Sequence, residues 1–228
     1  MQAAVRPRKA TPHPAGYLRI SVLAEPDTAS PFTQHYRLKL FLRHTAAGPE
    51  DYAGFLLARR LCLQQATARL SNQPLTVYTA QNQEELYRCL YDGQHQLKTQ
   101  ITRQFAIRRD PSSQDLLLLD KLLLQPQFRG SGLGLWTMHH AIQRLSPPNG
   151  LVALKTFPLQ YNGEATQIET EFGLAKLRVN FTTAVSRLRR YYGRLGFKRL
   201  GQTLYMAMPT AALQPLDRLG TCALQLSF

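Results

Sequence analysis

The stretch Leu116-Leu-Leu-Leu-Asp120-Lys-Leu-Leu-Leu-Gln125-Pro-Gln-Phe-Arg-Gly130-Ser-Gly-Leu-Gly134 decides how this chain is read. The apolar run before Pro126 is too short to span a membrane and reads as a buried strand. Gly130, Gly132 and Gly134 then open a segment of helical period. A strand, a glycine turn and a helix mouth aim several backbone N–H groups at one spot, with the positive end of the helix behind them. That arrangement suits an anion, most naturally a phosphate or pyrophosphate. Leu135, Met138, Ile142 and Leu145 continue as one helical stripe, which stops at Ser146-Pro147-Pro148-Asn149-Gly150. Leu151 to Phe157 reads as the next buried strand, halted by Pro158. Strand, turn, helix and strand make a βαβ unit, hence two neighbouring parallel strands in an α/β fold.

Upstream, Leu38, Leu40 and Leu42 alternate with Arg37, Lys39 and Arg43, which predicts a half-exposed strand. Leu18, Ile20 and Val22 predict a weaker one over 17–23. In 53–63 the residues Phe55, Leu57, Leu61 and Leu63 alternate, so this segment reads as strand, although its alanines and the Pro49-Glu50-Asp51 start would also suit a helix. Asn82 with Glu85 resembles a helix-starting cap, followed by Leu86 and Leu90 at helical spacing, with Gly93 as the stop. Downstream, 160–179 shows no period and reads as an insertion. Phe181, Val185, Leu188, Tyr192 and Leu195 then repeat at helical spacing, with Arg187, Arg190 and Arg194 on the opposite face and Gly196 as a cap. Lys198 to Met208 reads as a final strand.

Composition narrows the class. An apolar fraction of 44% is ordinary for a globular chain, and 228 residues suffice for one large domain. The charge is not ordinary: 28 Lys and Arg against 14 Asp and Glu give +14. Such a field attracts polyanions, whether nucleic acid, acidic membrane surfaces or phosphate-bearing cofactors. Cys62, Cys89 and Cys222 form no CxxC pair, so neither a zinc site nor a disulfide framework is expected and a reducing compartment is favoured. No stretch reaches the roughly 20 apolar residues of a spanning helix. Met1 to Gly16 carries Arg6, Arg8 and Lys9 among prolines and reads as a disordered basic arm rather than a secretory signal.

At this point the chain resembles the GNAT superfamily of N-acetyltransferases, which use acyl-coenzyme A. Gln127, Gly130 and Gly132 match that family's Q/R-x-x-G-x-G/A signature after a central strand, and Gly134 extends it. Tyr191-Tyr-Gly-Arg-Leu-Gly-Phe197 matches its F-Y-x-x-L-G-F signature, in the right order. The resemblance covers roughly 115–208 and departs from the family at Val185 and Leu188, where side-chain contacts to the pantetheine arm are common. The G-x-x-x-x-G-K-[ST] and G-x-G-x-x-G phosphate motifs are both absent. The implied architecture is a GNAT-like α/β fold with a central splayed mixed sheet flanked by helices. A basic arm (1–16) would precede one domain (17–228), divided into a variable half (17–110), an acetyl-coenzyme A-binding core (115–208) and a tail (209–228).

The resemblance also assigns residues. The backbone of Gln127, Phe128, Arg129, Gly130, Ser131, Gly132, Leu133 and Gly134 would cradle the pyrophosphate, with Arg129 adding a charged contact or lying in solvent. Backbone groups of Leu122, Leu123 and Leu124 would pair with the acyl-pantetheine as an extra strand would. Tyr192 occupies the position of a general acid that returns a proton to the departing thiolate; the alternative is a packed helix tyrosine, as expected for Tyr191. Asp120 interrupts a leucine-rich strand, which is costly unless the carboxylate is paired or functional. It is either the base that deprotonates the amine or a salt-bridged structural residue. His139 and His140 diverge on their helix and read as surface or core, Trp136 as packing, and Phe157 to Tyr161 as a guess at the acceptor pocket.

The resulting expectation is a cytoplasmic acyltransferase that moves an acetyl group directly from acetyl-coenzyme A to an amine on a small molecule or protein. It would have no metal and no membrane anchor, in a family that often dimerises. The rival is a catalytically inactive protein of the same fold that binds nucleic acid, motivated by the basic arm and the Arg187–Arg199 cluster.

Overall fold

A computed structural model of the chain describes residues 16–27, 30–45, 47–63, 65–66, 84–94, 96–107, 115–161, 170–177, 179–216 and 224–227. The expected basic arm, apart from Gly16, and the cap residue Asn82 lie outside the described residues.

The architecture is α/β, with one mixed sheet of eight strands in the order β6-β7-β5-β4-β3-β2-β1-β8. In chain order the strands are β1 (Gly16–Pro26), β2 (Thr33–Arg43), β3 (Asp51–Leu61), β4 (Leu116–Leu124), β5 (Leu151–Lys155), β6 (Lys198–Arg199), β7 (Tyr205–Pro209) and β8 (Leu224–Ser227). Helices α1 (Glu84–Leu90) and α2 (Thr99–Phe105) lie between β3 and β4, α3 (Leu133–Leu145) joins β4 to β5, and α4 (Phe181–Gly193) precedes β6. β1 through β4 run antiparallel in succession; β4 and β5 are parallel, as the βαβ pattern predicts.

The sheet carries a core on each face. On one, Leu38, Leu40 and Leu42 of β2 and Leu117 and Leu119 of β4 pack with Leu135, Met138 and Ile142 of α3. On the other, Leu116 and Leu118 pack with Leu86 and Leu90 of α1 and Ile101 and Phe105 of α2. The strand's leucine run is therefore continuous because both its faces are covered. Lys98 precedes α2 and Ala106 closes it in the left-handed conformation.

One expectation is borne out and two are corrected. First, β3 is a strand, with Ala53, Leu56 and Ala58 buried on the α3 side and Phe55 on the opposite face. Second, Lys198 to Met208 is a hairpin rather than one strand. Gly201 adopts φ +55°, and the Thr203 hydroxyl donates to the Leu200 carbonyl at 2.8 Å, folding β6 back on β7. Third, the tail contributes β8, which pairs in parallel with β1.

Two irregularities shape the end of the sheet beside the glycine turn. Leu57 opposes Lys121 while Ala58 opposes Leu119, so Asp120 is the extra residue of a bulge in β4. Leu117 and Leu119 face α3 before it, and Leu122 and Leu124 face α3 after it. The bulge thus reverses which parity of residue points to the helix. Beyond it, Gly54 of β3 lets the strands come close: a Cβ there would sit 2.0 Å from the Leu123 carbonyl oxygen.

Candidate functional site

The parallel pairing of β4 with β5 covers only Leu116–Leu119 against Leu151–Leu154, whereas β4 continues to Leu124. The two strands part there. The Gln125 N–H donates to the Ala53 carbonyl on β3 at 2.9 Å. Alternation then directs the main-chain groups of Leu123 to β3 and those of Leu122 and Leu124 to the side that β5 has left. Among the described residues no strand pairs with this side, which is of the kind an extended ligand can complete, although the Leu124 carbonyl accepts from Arg129.

The glycine turn follows directly. Pro126–Phe128 form a single 3₁₀ turn; Gly130 and Gly132 take φ of +78° and +85°. Gly132 is the N-cap of α3 and has no side-chain cap. A Cβ at Gly130 or Gly132 would meet nothing within 4 Å, so open space lies beside this backbone. The first carbonyl-bonded amide of the helix is Trp136 N–H to Gly132, at 3.1 Å, which leaves Leu133, Gly134 and Leu135 without helical acceptors. Two of these three amides find side-chain oxygens. Leu133 N–H lies 3.4 Å from the Ser131 hydroxyl, a long contact, and Leu135 N–H donates to the Tyr191 hydroxyl. The mouth is therefore lined by the turn and the Gly134 amide, with Tyr191 at its inner edge.

Gly134 is where three elements converge. A Cβ on it would lie 2.3 Å from the Tyr191 hydroxyl, 3.2 Å from Leu122 Cδ2 and 3.5 Å from Leu124 Cδ1. The third glycine of the turn thus provides clearance for α4 against β4. Tyr192 stands beside Tyr191, ring centroids 5.5 Å apart, and edges onto Phe197 at 6.4 Å. Burial alone pushes its phenol up to about 12. Val185 is buried in the packed side of α4.

Arg129 is placed differently from its expected role. Its Nε donates to the Leu124 carbonyl at 2.9 Å and its Nη2 to the Phe172 carbonyl. The guanidinium is a strut that ties the end of β4 to Phe172, within the segment read as an insertion. Phe172 there packs on Leu123 and stacks edge-on with Phe55 at 5.6 Å. Phe128, Leu123 and Leu133 are buried, so only their backbone is available to a ligand; Gln127 is exposed.

Asp120 is not brought together with these groups. Both its carboxylate oxygens accept from Arg59, at 2.7 Å from Nε and 2.5 Å from Nη2. This is the salt-bridged alternative, with the partner on β3. The pair lies within electrostatic reach of Tyr205, whose phenol is pushed up to about 12, mainly by burial. Tyr205 belongs to the α1–α2 face, and Lys155 lies 5.2 Å from its ring centroid and 3.8 Å from Glu85. Sequence reasoning missed Arg59, Lys155 and Tyr205. A carboxylate in a leucine run signals that a cation must exist, but not that it lies 61 residues away.

Among the described residues no group of three or more His, Cys, Asp or Glu is placed to hold a metal ion, and no helix is long and apolar enough to cross a membrane. His139 is buried and His140 half-buried; His139 Nδ1 and His140 Nε2 have no hydrogen-bond partner. Of the guessed acceptor segment, Phe157 and Tyr161 edge onto Phe181 at 5.7 and 5.4 Å. No protein-family model, curated protein or solved structure matches this chain.

Proposed function

We propose that the chain is a GNAT-fold N-acyltransferase that takes an acyl group from acetyl-coenzyme A to an amine. The observation that carries this reading is the parting of β4 from β5 immediately beside a glycine turn at a helix mouth. A diphosphate fits the turn: two left-handed glycines leave open space, and the Gly134 amide lies at the positive end of α3. An extended pantetheine arm fits the strand edges of Leu122 and Leu124, although the Leu124 carbonyl is already taken by Arg129. Bound acetyl-coenzyme A would supply an activated acyl thioester.

The chain's own groups then hold and orient. Gly130–Gly134 bind the phosphates through backbone amides. Tyr192 keeps its proton on Oη at neutral pH, as a phenol ordinarily does and the more firmly for its burial, and so remains a donor. Asp120, forked to Arg59, serves as a structural ion pair in this reading. An alkylamine must arrive deprotonated, at a cost of about 4–5 kcal/mol at pH 7 for a pKa near 10.4.

Titration calorimetry with acetyl-coenzyme A tests the binding half; no heat of binding at ~1 mM overturns the proposal. Tyr192→Phe should lower thiol release about 10²-fold or more while leaving the cofactor Kd within a few-fold. An unchanged rate removes Tyr192 from the chemistry.

A further inference from the structure

Between residues 172 and 216 the chain carries eight Lys and Arg and no Asp or Glu. The structure gathers part of that excess on one edge. Arg187 and Arg190 stand on the exposed face of α4, and Lys198 and Arg199 on the exposed edge strand β6. Arg189 bridges the two, its Nη2 donating to the Thr203 carbonyl in the β6–β7 turn at 3.0 Å. Arg199 is positioned through Gln104 of α2, whose Nε2 donates to its carbonyl at 2.9 Å, and through its own contact with Gln202 at 3.3 Å.

Elsewhere, carboxylates hold several of the cations: Glu50 with Arg19, Asp120 with Arg59, Asp115 with Arg60, Glu84 with Arg88. Among the described residues no carboxylate pairs with Arg187, Arg189, Arg190, Lys198 or Arg199. Arg189 and Arg199 instead repel one another, and burial and that repulsion together pull Arg189 down from its ordinary value. Cations near a helix C-terminus favour its dipole, which accounts for Arg190 but not for the two on β6.

We propose that this edge, formed by the outer face of α4 and the β6–β7 hairpin, binds the phosphodiester backbone of a nucleic acid. Guanidinium groups match phosphate oxygens in bidentate geometry. Backbone binding draws its affinity from counterion release and needs no apolar anchor. Among the described residues none lies within 186–202; the nearest exposed large hydrophobic residues, Phe181 and Tyr161, rest on each other at the opposite, N-terminal end of α4. A protein interface would centre on aromatic or aliphatic anchors, and an interfacial helix would present its apolar face to lipid. Here α4 buries Val185 and packs Tyr191 and Tyr192 against the core. The contacts are to phosphate alone, so binding is independent of base sequence. The inference does not depend on the acyl-transfer reading.

Fluorescence anisotropy of the full chain with a labelled duplex oligonucleotide, from 50 to 200 mM salt, tests it. Five phosphate contacts give a slope of log K against log salt of about −4.5, a loss of about 500-fold across that range. The triple variant Arg187→Gln, Arg190→Gln, Lys198→Gln should flatten the slope by about 3 while leaving the thermal midpoint and the heat of acetyl-coenzyme A binding as they were. Absence of binding at 50 mM salt overturns the proposal. So does an unaltered slope in the triple variant, which would place binding on another basic segment. Adsorption to vesicles of anionic phospholipid without binding to the oligonucleotide overturns it in favour of a membrane surface.

Discussion

At Gly134 a hydrogen in place of a methyl group decides whether α4 can reach β4. The Tyr191 hydroxyl fills the space that a side chain would need and takes the Leu135 amide proton. Gly134→Ala should therefore destabilise the fold by about 1–3 kcal/mol through overpacking. Tyr191→Phe alone should cost about 1 kcal/mol for the lost hydrogen bond. The double variant should recover much of the Gly134→Ala loss, because removing the hydroxyl frees the space. Urea denaturation of the four proteins reads this cycle; strictly additive losses would show that the two residues do not compete for it. The sequence placed Gly134 in the anion turn on the strength of its spacing. Only Gly130 and Gly132 have the positive φ and open flank of that role, whereas Gly134 acts through clearance. Spacing identifies a glycine but not which of its two uses, backbone freedom or lack of bulk, the fold requires.

At the scale of the element, α3 combines a polar mouth with a buried body, and its histidines feel the second. His140 packs edge-on to Trp136 at 4.2 Å, and burial followed by the nearby His139 pulls its pKa down to about 4. Burial also lowers His139, opposed by a hydrogen bond to the Gln214 backbone. A histidine depressed in the folded state takes up its proton more readily when unfolded, near pH 6.5. Stability is then fully present above about pH 6.5 and declines as the pH falls toward about 4. For a half-buried group the loss is roughly 1 kcal/mol once solvent screening is allowed for. His140→Phe should make the decline between pH 6.5 and 4 shallower, read as thermal midpoints across that range; an identical decline would assign the acid sensitivity to other groups. The periodicity of Leu135, Met138, Ile142 and Leu145 gave this helix its extent and inner face. It did not show that both histidines would be covered, because that depends on what packs over the helix from 213 to 216.

For the molecule as a whole, the eight strands of the described residues place β6 and β8 at the two edges of the sheet. β6 is two residues long and basic, both devices that discourage edge-to-edge pairing. β8 covers the first four residues, Gly16–Arg19, of the eleven-residue β1, which alternates apolar and polar residues, and so shortens an edge that would otherwise be open along its whole length. Removing residues 217–228 should therefore give concentration-dependent association, visible as rising mass by light scattering. A truncated chain that stays monomeric at the stability of the intact one would show that β8 does not protect the sheet.

By itself the sequence determined the local elements and the place of one glycine turn at a helix mouth. Period and punctuation are properties of neighbours in the chain, so the leucine strand, the glycine mouth, both long amphipathic helices and the half-exposed strand with Leu38, Leu40 and Leu42 were all legible. Tertiary structure alone decided which distant groups meet. It set Arg59 against Asp120, Tyr191 against Gly134 and Arg129 against Phe172, and it parted β4 from β5 after Leu119. It also folded Lys198 to Met208 into a hairpin and brought β8 back to β1. These contacts depend on strand register and close packing between segments up to some 200 residues apart, quantities that no local pattern of side chains encodes.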